Sequence, residues 1–335
     1  MERITAVSAF SGIGGMDLGL KGGFIFLDRK YARRSVDIVY SIDNYREACN
    51  IYETNFNERC SCADIREVPS SSIPDHDLLI AGFPCQSFSI VAQYPPRLGF
   101  ESREGKIFYE IVRILRDKQP KAFIVENVKG IISANKGKAF PLILKEFSDA
   151  GYTVGSKLMN AAEWGIPQKR ERVFIIGIRK DLGVQPSFPS PKKRTRLVPL
   201  KKVIMDHESV DKKYYFSNRA VEGLLKSNPR MNKGRVQNVD EPSSTVTSHL
   251  AKVSLNSVDP VLKVNGVFRR FTPREVARIQ SFPENFKLVG TDFHQYKGLG
   301  NAVPPVLMWH IAREVLDILK GEARDTPVQY AQKLH

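Results

Sequence analysis

The sequence predicts an α/β protein: a Rossmann-like, mainly parallel sheet carrying a second, smaller domain. Three observations predict it. Short β-rich apolar runs alternate with helix-patterned stretches up to Lys180, the spacing of successive βαβ units. A glycine-rich turn, Phe10-Ser11-Gly12-Ile13-Gly14-Gly15, follows the first apolar run. Beyond Lys180 the pattern breaks, and Pro186, Pro189, Pro191 and Pro199 punctuate a stretch rich in lysine and arginine.

Taken in order, strands are expected at 4–10, 36–42, 77–81, 121–125, 152–158 and 172–178. A helix should follow the glycine turn through Leu18 and Leu20, with others at 105–118, where Ile107, Ile111, Ile114 and Leu115 share a face, and at 139–150. Lys192, Lys193, Arg194, Arg196, Lys201 and Lys202 mark a boundary, and either a solvated linker or a phosphate-contacting segment fits them. From 203 to 268 the pattern is weak and polar, and includes Ser243-Ser244-Thr245-Val246-Thr247-Ser248. Periodicity returns at Thr272, an N-cap followed by Pro273 at the first helical position and Glu275 as the capping-box acid. The last helix, Pro305–Leu319, gathers Val306, Ile311, Ala312 and Val315 on an apolar face.

The 335 residues suffice for one large domain and a smaller one. A formal net charge of +15 favours a polyanionic partner, although a merely basic soluble protein has the same composition. Four cysteines, Cys49, Cys60, Cys62 and Cys85, are too few and too unevenly spaced for a disulfide framework, which points to a reducing, cytoplasmic compartment. Cys60 and Cys62 lack a second ligand pair, so they are expected as structural thiols and not as a metal site. The run at 4–10 is a first strand and not a signal, and nothing approaches the ~18 apolar residues of a membrane span.

The chemistry-bearing residues fall at the ends of the expected strands. Glycines after the first strand let the backbone approach a ligand, and Asp43, ending the second, can accept hydrogen bonds from ribose hydroxyls. The separation between them exceeds the ~20 residues of a dinucleotide fold, consistent with a loop insertion at 28–34. Cys85, in Gly82-Phe83-Pro84-Cys85-Gln86-Ser87-Phe88-Ser89, leaves the carboxyl end of a strand, where open α/β sheets bind ligands; a buried structural thiol is the alternative. Glu126, in Val125-Glu126-Asn127-Val128, can bind or protonate a substrate nitrogen if burial raises its pKa, or can simply be an acid near a helix start. Alternation in Gln168-Lys169-Arg170-Glu171-Arg172 puts Arg170 and Arg172 on one face, able to hold a base carbonyl and phosphates, unless they form a solvated charge cluster.

In this order, these segments together with Arg-Glu-x-Ala-Arg-Ile-Gln at 274–280 and Gly-Asn-Ala-Val-Pro at 300–304 resemble the DNA (cytosine-5) methyltransferases of bacterial restriction-modification systems. The resemblance implies the S-adenosylmethionine-dependent methyltransferase fold, with a catalytic domain of 1–184 plus 303–335 and a target-recognition domain of 185–302. It implies Cys85 as nucleophile, Glu126 on the cytosine ring nitrogen and amine, and Arg172 with Arg170 on the ring carbonyl and backbone. S-adenosylmethionine would lie against Phe10, Gly12, Gly14, Gly15, Asp43, Asn44, Asp64, Ile65, Gly82, Ile107, Asn301 and Val303, leaving as S-adenosylhomocysteine, with no metal. Asn44 stands where many members carry an aromatic residue. Gln86, Ser89 and Thr245 would touch double-stranded DNA from which the target base has been flipped. The implied protein is a monomer, bound to the nucleoid through DNA, clear of membranes, and partner to a restriction endonuclease without a stable complex. An RNA cytosine-5 methyltransferase of the related branch, a non-catalytic DNA-binding regulator and a nicotinamide oxidoreductase are the alternatives.

Overall fold

The computed structural model describes residues 3–83, 106–191, 196–226, 235–251 and 259–322. All six expected strands form there, among β1 (Ile4–Ala9), β2 (Phe24–Phe26), β3 (Arg29–Tyr31), β4 (Val36–Asp43), β5 (Ser61–Cys62), β6 (Leu78–Ala81), β7 (Ala122–Val128), β8 (Tyr152–Asn160), β9 (Glu171–Arg179), β10 (Leu262–Val264) and β11 (Val267–Arg269). Seven make one sheet in the order β5-β4-β1-β6-β7-β9-β8. The five from β5 to β7 run parallel, and β9 runs antiparallel to both β7 and β8.

Helices are α1 (Gly15–Lys21), α2 (Arg46–Phe56), α3 (Lys106–Lys118), α4 (Ala139–Asp149), α5 (Asn218–Lys226), α6 (Pro273–Ile279), α7 (Asp292–Asn301) and α8 (Pro305–Leu319). Because strand side chains alternate, neighbouring residues feed opposite faces of the sheet. Ala6, Ile80, Ile124 and Ile176 join a core with Leu20 of α1 and Val306 and Ile311 of α8. Val7, Leu79, Phe123 and Ile175 join another with Phe108 and Ile111 of α3 and Ile143 and Phe147 of α4. Burial on both faces explains why these strands read as continuous apolar runs.

Three features differ from the sequence expectation. The insertion placed at 28–34 is a β2–β3 hairpin that starts at Phe24, and Leu27 and Asp28 turn it with φ of 44° and 60°. Its Phe24 stacks on Tyr31, which meets Trp309 of α8 edge-on, so the extra chain is packed and not a free loop. β7 runs on to Val128, past the end of its apolar stretch, because β9 pairs with it as far as Val128 opposite Arg172. The weakly patterned middle contributes Leu200, Val210, Val246, Leu250 and Leu262 to the same core as α8, and it includes α5, which the sequence did not signal.

The capping box at α6 is present as expected: Thr272 accepts from the Glu275 N–H and Glu275 accepts from the Thr272 N–H. Cys49, Cys60 and Cys62 are free thiols packed with Tyr52 and Phe56. Among the described residues no helix is long and apolar enough to cross a membrane, and no group of side chains has the arrangement to hold a metal ion.

Candidate functional site at the carboxyl edge of the sheet

Sheet register aligns the expected site residues. Ala9 of β1 pairs with Ile42 of β4 and Ala81 of β6, and Ala81 pairs with Val125 of β7. One residue beyond each of these lie Phe10, Asp43, Gly82 and Glu126. Four segments far apart in sequence therefore end side by side, in the spatial order Asp43, Phe10, Gly82, Glu126. With strands ~4.8 Å apart, the row from Asp43 to Glu126 spans about 14 Å. It lies where β1 separates strands added on one side from those added on the other, the crevice that binds ligands in open α/β sheets.

At the Asp43 end, the Gly12 N–H donates to Asp43 Oδ2 at 2.9 Å and the Tyr45 N–H to Oδ1 at 2.8 Å. Burial raises the Asp43 pKa, while these two hydrogen bonds and the Lys297 ammonium oppose the rise. Gly12 has φ +54°, and among the described residues nothing stands within 4 Å of where its Cβ would be, so the turn is open there beside a carboxylate acceptor. Gly14 caps α1 in the left-handed conformation, and a Cβ on Gly15 would lie 2.3 Å from the Val303 carbonyl oxygen. That close approach locks the start of α1 against the residue expected to complete the pocket from the far end of the chain. Phe10 and Ile65 pack with Phe83 and Phe108, Ile107 of α3 is half-buried, and Asn301 is exposed at the end of α7. An open glycine turn, a carboxylate and an apolar floor fit a nucleoside-bearing cofactor.

Asp64 and Asn44 are placed less simply. The Asp64 carboxylate caps a short turn, accepting from the Arg66 N–H at 3.0 Å and its Nε at 2.9 Å. Asn44 is exposed, whereas the next residue, Tyr45, donates or accepts at the His294 ring, and Lys297 Nζ sits 3.5 Å from the Tyr45 ring centroid. Tyr45, His294 and Lys297 were not singled out from sequence, since α7 carried no clear apolar period.

At the other end, Glu126 is 7% exposed and pairs with Arg172 Nε at 3.0 Å. The geometry follows from topology: Arg172 begins an antiparallel strand, so it shares an edge with the end of parallel β7. Burial raises the Glu126 pKa, and Arg172, then Arg170, hold it down. A carboxyl whose neutral form is favoured by burial, and whose charged form is favoured by a neighbouring guanidinium, has the chemistry of a proton carrier. A Cβ on Gly82 would stand 3.6 Å from Glu126 Oε2, so the cysteine-bearing segment leaves the sheet directly beside this acid. Asn127, a buried residue without a role assigned from sequence, donates from Nδ2 to the Phe83 carbonyl at 3.0 Å and anchors that exit. Cys85, Gln86 and Ser89 lie outside the described residues.

Arg170, like Arg172, acts on the Glu126 charge and lowers its pKa. It precedes β9, is 1% exposed, and donates to the carbonyls of Val246 at 3.0 Å, Gly300 at 2.9 Å and Ala302 at 3.1 Å. Alternation carries past the start of β9, with Lys169 exposed between buried Gln168 and buried Arg170. Burial, then Arg172, depress its pKa. Thr245 is half-buried, and its hydroxyl donates to the Lys169 carbonyl at 2.9 Å. Among the described residues this brings the Thr-Val-Thr segment against the chain leading into β9.

With this geometry in place, comparison with known proteins is informative. The family described as C-5 cytosine-specific DNA methylase matches residues 4–317. The Type II methyltransferase M.FnuDI of Fusobacterium nucleatum is 34% identical over 95% of this chain and 96% of its own. M.NgoBI of Neisseria gonorrhoeae, also a Type II methyltransferase, is 36% identical over 89% of this chain and 88% of its own. The solved Entamoeba histolytica methyltransferase EhMeth superposes with a TM-score of 0.73 at 18% identity, over 96% of this chain and 99% of that one, a likeness of fold.

Proposed function

The chain belongs to the C-5 cytosine-specific DNA methylase family, and from that premise we propose how its residues methylate carbon 5 of cytosine in DNA and in what setting. The observation that carries the reading is the aligned row, with Asp43 at one end, Glu126 and Arg172 at the other, and the exit toward Cys85 between them.

Membership implies S-adenosylmethionine as the methyl donor, which supplies an electrophilic methyl group when bound. Asp43 would accept from its ribose hydroxyls, the open Gly12 turn and Phe10 would face it, Asn44, Asp64, Ile65, Gly82 and Ile107 would line it, and Gly14, Gly15, Asn301 and Val303 would close it from the α1 and α7 ends. Carbon 5 of cytosine is a weak nucleophile, so the ring must first gain electrons. The Cys85 thiolate adds to carbon 6, and Glu126 delivers a proton to, or holds one on, the ring nitrogen as charge builds there. Arg172, fixed by Glu126, supports the ring carbonyl. After methyl transfer, loss of the carbon 5 proton and departure of the thiolate restore aromaticity and release 5-methylcytosine.

These atoms are out of reach in a stacked duplex, so the base must rotate out, at a cost of a few kcal/mol. The +15 charge holds the phosphates meanwhile, with Gln86, Ser89 and Thr245 as contacts and the 185–302 region as reader of base edges. The relatives named as Type II methyltransferases support a modification enzyme. In this proposal it acts as a monomer in a bacterial cytoplasm, paired functionally with a restriction endonuclease.

The test is methyl incorporation from labelled S-adenosylmethionine into duplex DNA, followed by sequencing for 5-methylcytosine. Duplexes with 5-fluorocytosine at the mapped site should trap the protein covalently, since fluorine does not leave as a proton does. A Cys85→Ala variant that methylates at the wild-type rate, or normal turnover without a trapped adduct, refutes the covalent route.

A further inference from the structure

Three alternate side chains, Gln168, Arg170 and Arg172, lead from the recognition region to the acid of the site. Gln168 is fully buried; its Oε1 accepts from the Val246 N–H at 2.9 Å and its Nε2 donates to Gln280 Oε1 at 2.7 Å. Arg170 Nη1 donates to the Val246 carbonyl at 3.0 Å, so both backbone groups of Val246 are held from the same short stretch. The backbones are stitched as well: Ser243 N–H to Pro167 at 2.9 Å and Lys169 N–H to Ser243 at 2.7 Å. Gln280, also fully buried, donates to the Leu299 carbonyl at 2.6 Å, beside the Gly300 and Ala302 carbonyls that Arg170 holds. Two residues past Arg170, Arg172 pairs with Glu126.

Resting on the methyltransferase reading, we propose that Gln168 is a positioning residue that fixes the 243–247 segment to the start of β9, so that seating DNA against that segment and aligning the Glu126–Arg172 pair are one event. The chemistry favours an amide here. A buried backbone N–H and a buried side-chain oxygen must both be satisfied, and glutamine offers an acceptor and a donor without a charge. An apolar side chain would fill the volume yet strip the Val246 N–H and the Gln280 Oε1 of the partners Gln168 gives them. Since Val246 adjoins Thr245 and Thr247, any shift there moves the whole recognition segment relative to Arg172.

The test compares Gln168→Met and Gln280→Met with Tyr152→Phe. Tyr152 is equally buried and donates to the Pro120 carbonyl at 2.9 Å, at the opposite end of the sheet. Steady-state methylation is measured on duplexes carrying the site mapped with the wild type and on duplexes altered by one base pair, well below every Tm, alongside S-adenosylhomocysteine affinity. The expectation is a kcat lower by about 10- to 100-fold for either methionine variant and weaker discrimination between the duplexes. KM for DNA and S-adenosylhomocysteine affinity should stay within about threefold, and Tyr152→Phe should keep its kcat. Either variant alone suffices. A kcat that merely follows Tm in all three, or a change confined to KM, overturns the inference. Should the wild type methylate DNA and Glu126→Gln fail while Gln168→Met keeps its kcat, only this inference falls; should the wild type not methylate DNA, the underlying reading falls first.

Discussion

Among the described residues two carboxylate–guanidinium pairs are buried, and they are built to opposite ends. Glu275 and Arg269 are both fully buried, and four donors converge on the carboxylate: Arg269 Nη1 at 2.8 Å and Nη2 at 2.7 Å, the Thr272 N–H at 2.7 Å and the Met205 N–H at 2.8 Å. The Glu126 and Arg172 side chains remain 9% and 12% exposed and meet through Arg172 Nε at 3.0 Å, with Glu126 Oε2 turned toward the Gly82 exit. One pair ties the middle of the chain to a helix cap; the other borders an open edge. Saturation with fixed donors makes a carboxylate structural, whereas one held by fewer donors among the described residues suits the catalytic part proposed for Glu126.

The largest effect expected from breaking this comparison is on catalysis. Glu126→Gln keeps an oxygen for Arg172 but removes the proton-carrying group, so kcat should fall by about 10²- to 10⁴-fold with Tm nearly unchanged. Single-turnover methylation and a thermal melt measure both, and a variant retaining a tenth or more of the wild-type rate would remove Glu126 from the chemistry.

Next comes stability. Arg269→Met strands a carboxylate whose surroundings are dry, and should cost about 3–5 kcal/mol in urea unfolding. Activity per folded molecule at low temperature should persist, because the lesion lies away from the row of Asp43, Phe10, Gly82 and Glu126. A stable but inactive Arg269→Met would erase the distinction drawn between the two pairs.

How much of this was legible in the sequence follows the same division. Strands β1, β4, β6, β7, β8 and β9 were readable because burial on both faces leaves uninterrupted apolar runs, and the α6 cap because its signal is local. Glu126 and Arg172 were named as candidates from their motifs, yet their contact depends on β9 running antiparallel, which no local pattern encodes. Alternation put Arg170 beside Arg172, yet the carbonyls Arg170 holds are 76 to 132 residues away in the chain, which no local pattern encodes. Gln168, Gln280 and Asn127 escaped because a buried amide is recognisable only by its partners, here 44 to 112 residues away in the chain. Helix α2 begins without a side-chain cap, and α7 mixes Gly298 and Gly300 with polar residues, so neither announced itself.

The smallest effect sharpens the comparison with a third buried carboxylate, one that has hydroxyls where the others have arginine. Asp17 of α1 is fully buried and accepts from Ser8 Oγ at 3.0 Å and Tyr52 Oη at 3.1 Å. Burial lifts its pKa to about 6, against the pull of those two hydroxyls. Because the folded value lies above the unfolded one, the protonated acid favours folding: its contribution is complete below the usual carboxylate range and is lost as pH climbs through about 6. At neutral pH the wild type thus carries an ionised group with no cation to hold it. Asparagine there offers the hydroxyls a neutral partner, so Asp17→Asn should gain on the wild type by about 1–3 kcal/mol between acid and neutral pH. Urea unfolding of both proteins at steps from pH 4 to 7.5 reads the difference directly, and Glu126, common to both, cancels from it. Curves that stay parallel across that range would mean that Ser8 and Tyr52 hold the Asp17 charge as well as an arginine does.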